Sequence, residues 1–154
     1  MRMIALVCAA LVLAGPGVAR AQAVIALHTG FEPDPHDITV QAGGPLDVAE
    51  LDSNRVCHGW ITDQPTVSID YTSGDEWGLD FYTSSDLDTV LLVRTPDGQV
   101  WCDDDGGWDG GADWVGFDTP SDGRYDVWVG SYAQGGRGPA VLHVSETYGE
   151  DDWW

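Results

Sequence analysis

The sequence predicts an all-β sandwich of about eight or nine short strands. Three observations carry this. Short runs alternate between apolar and polar residues, turn clusters of Gly, Pro, Asp and Ser separate them, and no stretch beyond the N-terminal apolar run has a helical period. The composition suits such a fold, with 20 Gly and 8 Pro for turns. Eight Trp are too many for a disordered acidic chain.

Residues 3–14 form an unbroken apolar run, too short to span a bilayer and of the length of a signal-peptide core. Gly15-Pro16-Gly17 ends it, and two A-x-A sites follow, Ala19-Arg20-Ala21 and Ala21-Gln22-Ala23. The expectation is a cleaved signal peptide (1–23), one domain (24–148) and an acidic, Trp-bearing tail (149–154). No second long apolar run follows, so no membrane insertion is expected after cleavage, and the protein is read as periplasmic or extracellular.

Residues 24–35 are mixed and read as a loosely attached entry. Residues 38–42 alternate and make a first strand, which Gly43-Gly44-Pro45 turns. Leu46, Val48 and Leu51 alternate imperfectly with Asp47, Glu50 and Asp52. Residues 56–61, with Cys57 and Trp60, read as a short strand. In 66–72, Val67, Ile69 and Tyr71 share a face opposite Ser68 and Asp70, and 77–83 repeats the pattern with Leu79 and Phe81. The turn residues Thr72-Ser73-Gly74-Asp75 make that pair read as a hairpin.

Residues 89–95 (TVLLVRT) are apolar and β-branched almost throughout, which predicts a strand buried on both faces. Pro96-Asp97-Gly98 is a turn, Pro setting the first corner and Gly accepting positive φ. Residues 99–102 then return antiparallel to 89–95. A Gly- and Asp-rich loop fills 103–113, and 114–119 resumes a strand. After the turn Pro120-Ser121-Asp122-Gly123, Tyr125, Val127 and Val129 alternate with Asp126 and Trp128. A Gly-rich loop over 133–139 leads to a last strand over 139–146.

The charge excludes whole classes of function. The chain has 26 acidic and 6 basic residues, all Arg, for a formal charge of −20. Losing Arg2 and Arg20 with the signal leaves four basic residues and a charge of −22. Such a chain cannot neutralise phosphates, so nucleic-acid partners are excluded, and anionic lipid is disfavoured for the same reason.

Export places Cys57 and Cys102 in an oxidising compartment, where a disulfide is the default. It would close a loop of about 46 residues, worth roughly 4 kcal/mol in the chain-entropy model. The alternative is two buried free thiols. A catalytic thiolate is disfavoured by the three aspartates that follow Cys102.

The stretch 85–130 holds Asp88-Thr89 entering a buried strand, Pro96-Asp97-Gly98, aspartates after Cys102, Pro120 to Gly123, and Tyr125 to Gly130. In this combination it resembles the bacterial pre-peptidase C-terminal (PPC) domain. The resemblance covers residues 31–146 and is strongest in the second half. It implies a jelly-roll-like antiparallel β-sandwich, exported and often appended to proteases. No protease domain is present here, so the resemblance supports the fold more than an activity.

Acidic clustering is the strongest chemical feature. Antiparallel pairing of 89–95 with 99–102 would bring Asp86 and Asp88 toward Asp103, Asp104 and Asp105, with Asp109 and Asp113 following. Clustered carboxylates repel unless a cation sits between them, and their flexible oxygen geometry suits Ca²⁺. Gly106 and Gly107 would let the backbone offer carbonyls, and related sandwiches carry calcium. The alternative is solvated turn residues in an acid-rich surface. The loop is no EF-hand, since its twelfth position is Gly116.

Trp60, Trp101 and Trp128 lie in or beside strands and read as core. Trp77, Trp108 and Trp114 flank loops and are the candidate ligand-binding aromatics. His28, His36, His58 and His143 are scattered, and neither G-x-S-x-G nor H-E-x-x-H occurs. The sequence therefore reads as a non-catalytic exported PPC-like sandwich, stabilised by Cys57–Cys102 and Ca²⁺, with a binding or accessory role toward an unknown protein or polysaccharide. The alternatives are a carbohydrate- or protein-binding module that uses exposed Trp and Tyr, and a small secreted hydrolase.

Overall fold

The structure is a computed structural model that describes residues 23–52, 56–74, 77–105 and 112–147. Among these residues eleven strands run in chain order: β1 (Ala23–His28), β2 (His36–Ala42), β3 (Leu46–Asp47), β4 (Trp60–Ile61), β5 (Val67–Thr72), β6 (Leu79–Ser84), β7 (Thr89–Arg94), β8 (Val100–Asp103), β9 (Trp114–Phe117), β10 (Gly123–Ser131) and β11 (Gly138–Ser145). A 3₁₀ turn, Val48–Glu50, follows β3. Four strands form one sheet in the order β2-β11-β6-β9. The other seven form a sheet built around β10, which pairs β5 and β4 on one side and β7, with β8 beyond it, on the other.

The two sheets pack face to face as a sandwich, because each strand offers alternate side chains to one core. Val67, Ile69, Tyr71, Leu91, Val93, Tyr125, Val127 and Val129 come from one sheet. Val40, Leu79, Phe81, Val115, Leu142 and Val144 meet them from the other. The alternation in 66–72 and 77–83 thus marks strands correctly, but the hairpin expectation is corrected. β5 pairs β1 and β10, whereas β6 pairs β11 and β9. The two strands belong to opposite sheets, and alternation says nothing about which neighbour a strand bonds.

The entry segment is also corrected. β1 is bonded in parallel to β5 from Ala23↔Val67 to His28↔Thr72, and Leu27 and Phe31 are buried. Parallel pairing needs a distant partner, so the local pattern hides it. Residues 56–61 are strand only at β4. The carboxylate of Glu146, itself buried, accepts from Gly30 N at 2.7 Å and from the Tyr71 hydroxyl at 2.6 Å, tying the β1 end to the last strand. Burial, together with that carboxylate, pushes the Tyr71 hydroxyl's pKa well up.

β7 is buried on both faces, as its composition predicts. Leu91 and Val93 enter the main core. Val90 and Leu92 point the other way, where with Trp128 they meet Val48, Cys57 and Ile61. The described residues between β3 and β4, 48–52 and 56–59, therefore cover the outer face of the seven-stranded sheet as a third layer. Asp47 caps the 3₁₀ turn by accepting from Ala49 N at 2.9 Å. Gly59 has φ +147°, and a Cβ there would stand 2.5 Å from Val90 Cγ1, so only glycine lets this layer lie so close. The Cys57–Cys102 disulfide, with Cα atoms 6.3 Å apart, staples the layer to β8. Beside it the buried carboxylate of Asp52 accepts from Val56 N at 2.7 Å and Cys57 N at 3.3 Å.

The outer faces also hold two ion pairs, Arg94–Asp126 and Arg124–Asp70, at 3.1 and 2.8 Å. The Arg124 hydrogen bond holds the Asp70 carboxyl below its usual 3.8. A depressed folded-state pKa adds stability above the unfolded value that is lost as pH falls through the folded one. Asp70→Asn should therefore lose a little stability at neutral pH, flatten the profile below about pH 4, and converge with the wild type in acid. Both groups are solvent-exposed, so the change is small. Acid titration of the melting temperature checks this, and a difference from wild type that grows as pH falls would contradict it.

Candidate functional site

The acidic residues singled out in the sequence are distributed as follows. β7 and β8 do pair antiparallel, with Asp103 opposite Leu91. The Asp103 carboxylate accepts from Trp114 N at 2.8 Å and Asp105 N at 3.3 Å. Asp104 accepts from His58 N at 2.8 Å. Asp113 is buried and accepts from the hydroxyls of Thr83 and Thr89. Asp86 and Asp88 are exposed at the turn before β7, where the Asp88 carbonyl accepts from Tyr132 N at 2.9 Å. Among the described residues no group of three or more His, Cys, Asp or Glu is arranged to hold a metal. Gly106, Gly107, Trp108 and Asp109 lie outside the described residues.

The aromatic expectations divide. Trp128 is core, at 1% exposure. Trp60 is half-buried. Trp101 is corrected: it stands half exposed on the edge strand β8, edge-on to Phe117 with ring centroids 6.0 Å apart. Trp77, before β6, and Trp114, on β9, are exposed at 38% and 43%.

Trp114 belongs to a row that alternation alone does not reveal. In the four-stranded sheet, Asp37 is opposite His143, His143 opposite Tyr82, and Tyr82 opposite Trp114. The core takes Leu142, Val144, Phe81 and Val115, so these four side chains share the outer face. His143 stacks on Tyr82, with centroids 4.5 Å apart and planes 16° apart. The Asp37 carboxylate accepts from His143 Nδ1 at 2.6 Å. Nε2 then faces the Ser84 hydroxyl at 2.9 Å, and in the neutral ring it accepts that hydroxyl's hydrogen.

Trp114 donates its indole N–H to Asp80 Oδ1 at 3.0 Å. Its ring lies where a side chain of Gly116 would stand, since a Cβ there would be 2.3 Å from Trp114 Cζ2 and from Asp80 Oδ1. A glycine on this edge strand therefore makes room for an aromatic platform. An open depression lined by Thr39, Ser84, Asp86 and Pro139 adjoins the row.

The face is electrostatically one-sided. Its four strands carry Asp37 and the buried Asp80 and no Arg, with the exposed Arg137 one residue before β11, whereas Arg94 and Arg124 sit in the other sheet, paired with Asp126 and Asp70. The sequence reading leaves out Asp37, Asp80, Tyr82 and Ser84, and sets His143 aside as one of four scattered histidines. Each sits in the polar phase of an alternating strand, and only the pairing of four strands distant in sequence places them together.

No protein-family model and no curated protein matches this chain. Among solved structures the chain is similar to the crystal structure of Aeromonas hydrophila PliG, a periplasmic lysozyme inhibitor of g-type lysozyme. The identity is 16%, the match covers 81% of this chain and 98% of that one, and the TM-score is 0.34. A likeness of that degree carries no functional argument. Among the described residues no helix is long and apolar enough to cross a membrane.

Proposed function

We propose that this chain is an exported, disulfide-stapled binding protein that docks a cationic protein partner on the outer face of its four-stranded sheet. The observation that supports this is the Trp114 platform. An exposed indole is fixed over Gly116 by Asp80, beside Tyr82, on a sheet face that carries carboxylates and no Arg. An Arg or Lys of the partner gains from the aromatic ring and from the carboxylates together. The formal charge of −20 steers such a partner inward and repels acidic ones. A neutral polysaccharide would use the ring but draw nothing from the charge.

The PPC assignment and calcium stabilisation enter this reading on sequence alone. Calorimetric titration of Ca²⁺ into chelator-stripped protein tests the second. Saturable heat with a raised melting temperature supports it, and a flat titration with an unchanged melt removes it.

The binding reading is tested by titrating a nine-arginine peptide, a lysine-rich basic protein such as cytochrome c, and the neutral glycan cellohexaose into the protein. Trp114→Ala should weaken the cationic probes by about five- to thirty-fold, and Trp114→Tyr should restore most of it. Asp70→Asn, which removes the same charge as Asp37→Asn from the opposite sheet, should change little. Glycan binding that depends on Trp114 keeps the face and changes the partner. Cationic binding indifferent to Trp114 is bulk charge attraction and overturns the face.

A further inference from the structure

We infer that Ser84 is an activated nucleophile, held with His143 and Asp37 in the arrangement that acyl-transfer enzymes use. The hydroxyl of Ser84 lies 2.9 Å from His143 Nε2, and His143 Nδ1 lies 2.6 Å from the Asp37 carboxylate. Those are the contacts by which a base takes a serine proton and a carboxylate fixes the base's tautomer. Ser84 is exposed while the His143 side chain is only 16% exposed, clamped under Tyr82. The base is thus rigid and the nucleophile accessible. Ser84 also lines the open depression, whose other walls include Thr39, Pro139 and Val141. An open, shallow site of this kind suits a short acyl group carried on a larger alcohol. This activity is separate from the proposed docking, which centres on Trp114 at the other end of the row.

The reaction balances without a cofactor. Ser84 Oγ bonds to the carbonyl carbon of the ester as its proton passes to His143 Nε2. The carbon–oxygen bond to the alcohol breaks, and the alcohol leaves with that proton. Water then attacks the acyl-serine and gives a proton to Nε2. The bond to Ser84 breaks, Oγ regains the proton, and the carboxylic acid departs. Ser84 and His143 touch the reacting atoms, while Asp37 is a positioning residue that acts through His143.

The test uses diisopropyl fluorophosphate. Its phosphorus–fluorine bond breaks as Ser84 Oγ bonds to phosphorus, and the serine proton passes to His143. Peptide mass spectrometry should place one adduct on Ser84. Ser84→Ala should abolish it, and His143→Ala should slow it at least a hundredfold. Asp37→Asn should slow it and Asp37→Glu should restore part of the rate, which a purely structural role would not do. Ser84→Ala should leave binding of the nine-arginine peptide unchanged, and Trp114→Ala should leave labelling unchanged. The two readings therefore fail separately. No adduct on folded protein at excess reagent, an adduct on another residue, or labelling indifferent to His143→Ala would overturn the inference.

Discussion

Trp128→Ala is expected to lower the unfolding free energy by about 3–5 kcal/mol, the range for deleting a large buried aromatic. Trp128 is 1% exposed and is the largest side chain in the outer cluster with Val48, Cys57, Ile61, Val90 and Leu92. Its indole also lies under the Arg94 guanidinium, 4.8 Å from the ring centroid. Among the described residues its Nε1 has no hydrogen-bond partner. Trp128→Phe should therefore lose packing volume but no hydrogen bond, at a cost of roughly 1–2 kcal/mol. Urea unfolding of both variants measures this. Equal losses, or losses under 1 kcal/mol for Ala, would mean that the third layer is not packed as described.

Removing the disulfide has the second large effect. Cys57→Ala with Cys102→Ala should cost roughly 3–4 kcal/mol, because the unfolded chain regains the freedom of a loop of about 46 residues. The loss should also be local. Cys57 belongs to the outer cluster with Val48, Ile61 and Trp128, so amides of Val48–Glu50 and Trp60–Ile61 should exchange faster, while β5, β6 and β11 keep their protection. Because Cys57 and Trp128 share this cluster, the two losses should not add. Uniform loosening of both sheets, or none, would contradict the view that the staple serves this layer.

The strands were legible because their alternation reports burial on one face, a local property. The both-face burial of β7 and the turn to β8 were legible for the same reason, through TVLLVR and Pro96-Asp97-Gly98. What could not be read, beyond β7 with β8, was partnership. Thr72-Ser73-Gly74-Asp75 has turn composition, yet β5 and β6 on either side of it belong to different sheets. β1 has no alternation and finds a parallel partner some forty positions away. The candidate site fails to show in sequence on the same ground. Asp37, Tyr82, Ser84, His143 and Trp114 come from four strands, and nothing local marks a histidine in a polar phase as special. Trp114 was singled out because an aromatic at a loop edge has no core to enter, and Trp101 shows that strand membership alone does not bury a side chain.

On the proposed function, the outer face of the four-stranded sheet is where this protein meets its partner. The most direct measurement is a ¹H–¹⁵N NMR titration of the isotope-labelled protein with the nine-arginine peptide. Shifts should concentrate at the Trp114 indole N–H and the amides of β6, β9 and β11, saturate together, and be absent in Trp114→Ala. Shifts centred on residues 46–61 or around Asp70 and Asp126, or scattered over every acidic loop, would contradict it.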